Sequence, residues 1–268
     1  MIKPIFPNVT PSRVTALICR KRYYEEHVLK SVQRGDFCQN LAFGSAVHDA
    51  LKLMTTPAIS TPVANRNLEQ AIQHAFLKQN YPNVEMRQED IAKAIPIIAR
   101  YLSQASEIDS ILGTEIFAEF TASREGPRKL TFGAKFDALV ARMGVSPLLV
   151  IRDYKTGRSG GVNLESACVT LAVAKVKLNQ YRRDFNLDFS DVILEFDHLG
   201  EEGLCDRVSI GVKDVKDIWP NIKSRAEFVY SSTEFPPEPG EHCFYCPLRQ
   251  TCQTEMAVEI EDLDAVFA

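Results

Sequence analysis

Apolar residues recur at spacings of three and four through roughly the first 110 positions of this 268-residue chain, and at a spacing of two from Ile111 onward. That change of period constrains the fold more than any other feature. A spacing of three or four lays one face of a helix against a core, and a spacing of two lays down one face of a strand. The first half therefore reads as helical. "TPSRVTALICRKRYYEEHVL" is one helix capped near Thr10 or Ser12 with Pro11 tolerated at its start. "LAFGSAVHDALKLM" is a second, entered through Gly44 with His48 about one turn in, and "NRNLEQAIQHAFLKQN" and "QEDIAKAIPIIARYLSQASEI" are two amphipathic helices.

Beyond Ile111, "ILGTEIFAEFTAS", "KLTFGAKFDALVAR" and "PLLVIRDYKTG" read as three strands of an antiparallel meander, turning at "REGPR" and "MGVSP". A long helix, "ESACVTLAVAKVKLNQYRRDF", two further strands, "DVILEFDHLG" and "CDRVSIGV", and a helix over "VKDIWPNIKSRAEFVYSS" despite Pro220 complete the order. The expected class is α/β, a single domain over 1–268. A helical insertion occupies about 55–110, the core about 111–230, and a cysteine segment 240–255. The last residues, "EIEDLDAVFA", read as a loose acidic tail.

Composition narrows the function. With 45% hydrophobic and 25% charged residues the chain can bury a sizeable core. No run approaches the roughly 18 apolar residues of a membrane span. "MIKPIFPNVTPSR" lacks the apolar stretch of a secretory signal, which points to the cytoplasm and to no membrane partner. The net charge of -4 gives no global basic signature of nucleic-acid binding, although it leaves room for a local basic groove. Seven cysteines, an odd set, argue for metal or redox use over a disulfide framework, and three of them crowd into "HCFYCPLRQTC".

In "LLVIRDYKTGRSGG" an apolar strand runs into Ile151, Asp153 and Lys155, which share one strand face. A lone Asp-x-Lys is ordinarily an exposed ion pair closing an edge strand, so its meaning depends on its company. In "FGAKFDALV", Asp137 leaves the apolar face defined by Phe132, Phe136 and Ala138, and the hairpin geometry lets it converge on Asp153. Two carboxylates beside a lysine are the minimal kit for metal-assisted phosphodiester hydrolysis. The carboxylates hold a hard cation, and the lysine orients the nucleophile or neutralises the developing oxyanion.

The order of motifs resembles the PD-(D/E)XK nucleases of the RecB-like and CRISPR-associated exonuclease branch. "CRKRYY", "GSAVH", "GAKFD", "DYKTG", "KLNQY" and "CFYCPLRQTC" follow one another from Cys19 to Cys252. The resemblance implies a restriction-endonuclease-like core, a central mixed β-sheet flanked by helices, with a helical segment between His48 and Glu115 roofing the active site. It makes His48, Asp137 and Asp153 ligands of Mg²⁺ or Mn²⁺, with the carbonyl of Tyr154 completing the shell and Lys155 as the catalytic lysine. Glu115 stands for the family's acidic residue on the preceding strand, although Glu119 has the same parity. The family's Gln-x-x-x-Tyr helix keeps Tyr181 and carries Lys177 in place of the glutamine, so its role in contacting DNA is retained by a point charge. Arg182 and Arg183 add charge there. Cys19, Cys243, Cys246 and Cys252 fit the ligands of a 4Fe-4S cluster, with a four-cysteine Zn²⁺ site as the alternative. Cys38, Cys168 and Cys205 default to small buried hydrophobes.

The function so implied is a metal-dependent deoxyribonuclease, an exonuclease acting on single-stranded ends in DNA repair, recombination, phage or CRISPR-associated processing. Two rivals stand beside it. One is a DNA-binding or assembly subunit, with protein partners, of a recombination or CRISPR adaptation complex. The other is a redox-sensing iron-sulfur protein, whose function would depend little on Asp153.

Overall fold

The computed structural model describes residues 5–32, 38–56, 67–104, 109–123, 127–156, 162–200, 203–249 and 251–252. The glycine-rich turn beyond Thr156 and the acidic tail lie outside them. A five-stranded sheet runs in the order β1 (Asp109–Ser123), β2 (Leu130–Arg142), β3 (Leu148–Lys155), β4 (Asp191–Gly200), β5 (Gly203–Gly211). The first three strands form the expected antiparallel meander, β3 and β4 pair parallel, and β5 returns antiparallel. A parallel pair needs a crossover, and the 22-residue helix α5 (Leu164–Phe185) supplies it. Asn163 caps α5 by accepting from the Ser166 N–H at 2.9 Å.

Helices cover both faces. Leu149 and Ile151 of β3 and Val192, Leu194 and Phe196 of β4 pack with α5 and α7 (Trp219–Ser231) in one core. Val150 and Tyr154 of β3 pack on the other face with α2 (Gln39–Thr55), α3 (Leu68–Leu77) and α4 (Val84–Ser103). The result is a three-layer α/β arrangement with a mixed sheet, consistent with a restriction-endonuclease-like core. Among the described residues of the insertion, α3 and α4 do not roof the site: they pack in the layer behind the sheet.

Three local expectations are corrected. The first helix breaks at Cys19, whose backbone is extended at φ -139° and ψ 120°, between a 3₁₀ turn (Val14–Ile18) and α1 (Arg20–Tyr23), which runs on as a π-helical turn (Tyr24–Leu29). Gly44 lies inside α2 instead of at its entry. A Cβ there would stand 2.9 Å from Thr156 Oγ1, so glycine lets the helix pass close to the end of β3. Pro220 belongs to the first turn of α7, where a missing N–H costs nothing, and the chain breaks ahead of it after the short α6 (Val212–Val215).

The α4 side of the sheet carries a layer of charge. Arg142 makes bidentate contacts with Asp109 at 2.8 and 2.9 Å and with Glu195 at 2.6 and 3.0 Å. Arg152 reaches Asp109 at 2.7 Å and Glu195 at 3.2 Å, and its Nε lies 3.2 Å from Asp197 as an ion-pair contact without hydrogen-bond alignment. Arg207 closes on Asp197 at 2.6 and 2.9 Å, and Tyr101 of α4 donates to the same carboxylate at 2.8 Å. Three cations and three anions balance, which is the condition for tolerating buried charge.

Candidate active site

The β2–β3 ladder ends at Ala138↔Arg152. Past that point β3 stays paired to β4 alone, through Asp153↔Phe196, Tyr154↔Asp197 and Lys155↔His198. The β2 edge so vacated is taken by the N-terminal segment: Val9 donates to Thr131 O and accepts from the Gly133 N–H, both at 2.9 Å. The chain at Val9 thus replaces β3 beside β2, and the two catalytic-motif strands splay. A splayed pair leaves N–H groups in need of partners. Asp137 meets that need, accepting the Tyr154 N–H at 2.9 Å on Oδ2.

The same oxygen lies 3.2 Å from His48 Nδ1, so α2 and β2 meet here. Burial would push the Asp137 carboxyl up; the His48 and Tyr154 hydrogen bonds and the nearby Lys155 charge outweigh it and hold it below the usual range. Burial would lower His48; Asp137, Asp153 and the Tyr154 backbone reverse that and raise it. Asp153 behaves oppositely to Asp137. Burial raises it, Asp137 adds to the rise, and Lys155, whose Nζ is 2.7 Å from Asp153 Oδ1, only partly offsets both. Hard oxygens and an imidazole are donors suited to Mg²⁺ or Mn²⁺, and two neighbouring carboxylates, one of them raised, are relieved by a cation. Among the described residues no three His, Cys, Asp or Glu side chains stand together as a ready metal group. Asp153 is turned onto Lys155 instead.

Asp153 and Lys155 open into a cleft of about 690 Å³. Thr10, Ser12 and Arg13 form one wall, Phe117 and Lys135 another, and Asn163, Ser166 and Thr170 at the start of α5 a third. A second hollow of about 310 Å³, lined by Ser45, His48 and Tyr154, also reaches Lys155. Glu115 falls between the pairs Thr114↔Ala138 and Ile116↔Phe136, which sets it opposite Asp137. Its φ of 56° is left-handed, a conformation uncommon for a residue other than glycine, and its carboxylate is ion-paired with Lys135. The structure does not bring Lys177 and Tyr181 to the cleft. Tyr181 is 6% exposed and packs on Phe185 within the α5 core; burial and Asp184 push its hydroxyl up to about 12. Sequence reading missed Arg13, Lys135 and His198, because strand parity gives a face but not which strands splay.

Cys19, Cys243, Cys246 and Cys252 all line one small cavity of about 30 Å³, although more than 220 residues separate the first from the rest. Arg20 beside Cys19 clasps Glu238 through its backbone N–H at 2.7 Å and its Nε at 3.2 Å, tying the two ends of the fold. Burial raises the Cys246 thiol, and Cys19 and Cys243 add to the rise. His242 lines the same cavity. Of the three cysteines expected to be buried, Cys168 is, while Cys38 and Cys205 are exposed. Neither of these two sits in an apolar core, so the default reading fails for them.

No helix among the described residues is long and apolar enough to cross a membrane. No curated protein sequence matches the chain. A solved structure described as the crystal structure of SSO0001 aligns at 11% identity with a TM-score of 0.30, covering 85% of this chain and 92% of that one, a likeness too loose to carry any argument. A family model of the PD-(D/E)XK nuclease superfamily matches residues 8–253, a span that takes in both splayed strands, α2 and all four clustered cysteines. The chain belongs to the PD-(D/E)XK nuclease superfamily, whose members are nucleases acting on DNA.

Proposed function

We propose that this protein is a metal-dependent deoxyribonuclease that trims DNA from single-stranded ends. The observation that carries the reading is the splay of β2 from β3, which opens Asp153 and Lys155 into the cleft and sets Asp137 between the Tyr154 N–H and His48, whose own hollow also reaches Lys155. His48, Asp137, Asp153 and the Tyr154 carbonyl would hold a Mg²⁺ or Mn²⁺ ion, which when bound neutralises phosphate charge and lowers the pKa of water. Asp137, by accepting from Tyr154 N–H, fixes the backbone on which Asp153 and Lys155 stand. Lys155 holds an ammonium where negative charge develops on the phosphate oxygens. Its Nζ also lies 5.5 Å from the centre of the Phe196 ring, which limits where the chain can swing. The preference for a single strand rests on Phe117, 56% exposed on the cleft wall, which offers a ring to a base freed from a duplex.

The test is cleavage of end-labelled single- and double-stranded DNA with Mg²⁺ or Mn²⁺, and with excess EDTA. Stepwise shortening of the single strand that EDTA abolishes supports the reading. Undiminished cutting in EDTA, or cutting confined to internal sites, overturns the corresponding part of it.

We propose further that Cys19, Cys243, Cys246 and Cys252 hold a 4Fe-4S cluster that fastens the chain's ends. The four thiols line one cavity, where burial and the neighbouring Cys19 and Cys243 raise the Cys246 thiol, and a metal centre bound there would stabilise them as thiolates. Anaerobically purified protein should be brown and contain iron and acid-labile sulfide. Colourless protein with stoichiometric zinc would replace the cluster with a zinc staple.

A further inference from the structure

The α5-facing side of β4 carries one residue that the site as described leaves idle. His198 stands beside Lys155 in the parallel β3–β4 ladder, and residues abreast in such a ladder share a face. It lines the cleft with Asp153 and Lys155 and is only 8% exposed. Its Nδ1 is shut off from solvent and has no hydrogen-bond partner among the described residues. The charged layer behind the sheet does not explain it, because Glu195 and Asp197, of opposite parity on β4, serve that layer.

A buried N–H without an acceptor is rare in folded proteins, whereas an under-used lone pair is better tolerated. The neutral ring is therefore least costly with Nδ1 bare and the proton on Nε2. The part of the ring that remains accessible belongs to the cleft wall, so the donor is presented to whatever the cleft holds. Arg13 and Lys135 line the same space. A ring N–H donor beside two further cations and Lys155 is matched to an anionic oxygen acceptor, and a phosphodiester supplies one at each nucleotide.

We infer that His198 is a substrate-binding residue, whose Nε2–H donates to a non-bridging oxygen of a phosphodiester next to the one that meets Lys155. This rests on reading the cleft as the nuclease site. His198 acts in holding the strand and not in the chemical step, so its loss falls on KM and binding while kcat is spared.

Two substitutions in the full chain test it: His198→Phe fills the ring's volume without a donor, and His198→Gln restores one. Binding of a labelled single-stranded oligonucleotide is measured in EDTA, steady-state cleavage in Mg²⁺ or Mn²⁺, and the thermal midpoint for both variants. The expected result for His198→Phe is about a tenfold rise in Kd and KM, the loss of one hydrogen bond to a charged acceptor. Its kcat should stay within about twofold and its thermal midpoint should not fall, while His198→Gln recovers most of the affinity. Wild-type Kd and KM in His198→Phe would overturn the inference and leave the nuclease reading standing. Equal losses in both variants with a lowered thermal midpoint would assign His198 a structural role and overturn it too. Wild-type protein that binds the strand through His198 but cleaves nothing would sustain the inference and sink the nuclease reading; wild-type protein that does not bind the strand overturns both.

Discussion

Strands β3 and β4 carry charge on both faces, and the two faces treat it differently. Toward α4, Arg152, Glu195 and Asp197 are 6%, 1% and 0% exposed, and each meets opposite charge from Arg142, Arg207 or Asp109. Toward α5, one residue further along the same strands, Asp153 is raised by burial and by Asp137; among the described residues Lys155 is its single ion-pair partner and His198 Nδ1 has no hydrogen-bond partner. Charge that is fully paired holds a fold together. Charge left under-satisfied in a cleft is held ready for something that arrives. Alternation along a strand lets one backbone do both, and the splay after Ala138↔Arg152 decides which face opens.

The largest break in that comparison should come from Asp153→Asn. Removing a carboxylate from the cleft should cut cleavage by at least about a thousandfold, roughly 4 kcal/mol of barrier. It should not destabilise the fold. The Asp153 carboxyl is raised in the folded state, so its contribution to stability is present at low pH and is lost as pH rises through the folded value; at neutral pH the ionised group is a burden that asparagine removes. Thermal melts at pH 7 check this, and a lowered midpoint would place Asp153 with the structural charges. Glu195→Ala is the converse. It takes one carboxylate from Arg142 and Arg152 and leaves the layer's three cations against Asp109 and Asp197, so stability should fall by about 3 kcal/mol by urea titration, with the activity of the remaining folded protein kept. A mild loss would mean that the layer is less dependent on its pairing than its geometry implies.

The same layer predicts acid lability of the opposite sign to Asp153. Burial would raise Asp109 and Glu195, but the hydrogen bonds and charges of Arg142, Arg152 and Arg207 outweigh it and hold both below the usual range. Groups with depressed folded values contribute stability that is present above their unfolded range and is lost as pH falls. Wild type should lose stability below about pH 4.3, where unfolded carboxylates take up protons. Asp109→Asn should flatten that part of the curve; an unflattened curve would remove Asp109 from the cause.

Much of this was legible in the chain. The change of period at Ile111 fixed helices before strands, and Asp153 and Lys155 were readable as neighbours because parity needs no tertiary knowledge. Parity failed on β2. Phe136 and Ala138 share a face on paper, yet they pack in different cores, because the strand leaves β3 for Val9 between them. His198 was not legible either. A hairpin sets its own register, but the register of the parallel β3–β4 pair depends on how α5 seats, and no local signal writes that. Cys19 could be grouped with the distant cysteines by resemblance, whereas its cause in the fold, a broken helix clasped to Glu238, needed the structure. The roof expected from the insertion failed for a related reason. Amphipathic periodicity in α3 and α4 says that one face is buried, not which side of the sheet buries it.

The smallest expected effect separates two lysines. Lys135 lines the cleft, with its amine ion-paired to Glu115 and more than half exposed. Lys177 lies seven residues beyond Thr170, the last α5 residue on the cleft wall, and does not line it, which at about 1.5 Å per residue is roughly 10 Å along the helix. If the strand stays in the cleft, Lys135→Ala should weaken binding and lower the slope of log affinity against log salt by about 0.7, the value for one phosphate contact with single-stranded DNA. Lys177→Ala should leave that slope unchanged and move affinity by less than about twofold. Parallel salt titrations of the two variants decide the matter. Equal flattening by both would mean that the nucleic acid leaves the cleft and tracks along α5, and the boundary between its binding face and its merely solvated face would move past Thr170. Flattening by Lys177→Ala alone would shift the interface off the cleft altogether, and the under-satisfied charges beside Asp153 would need another explanation.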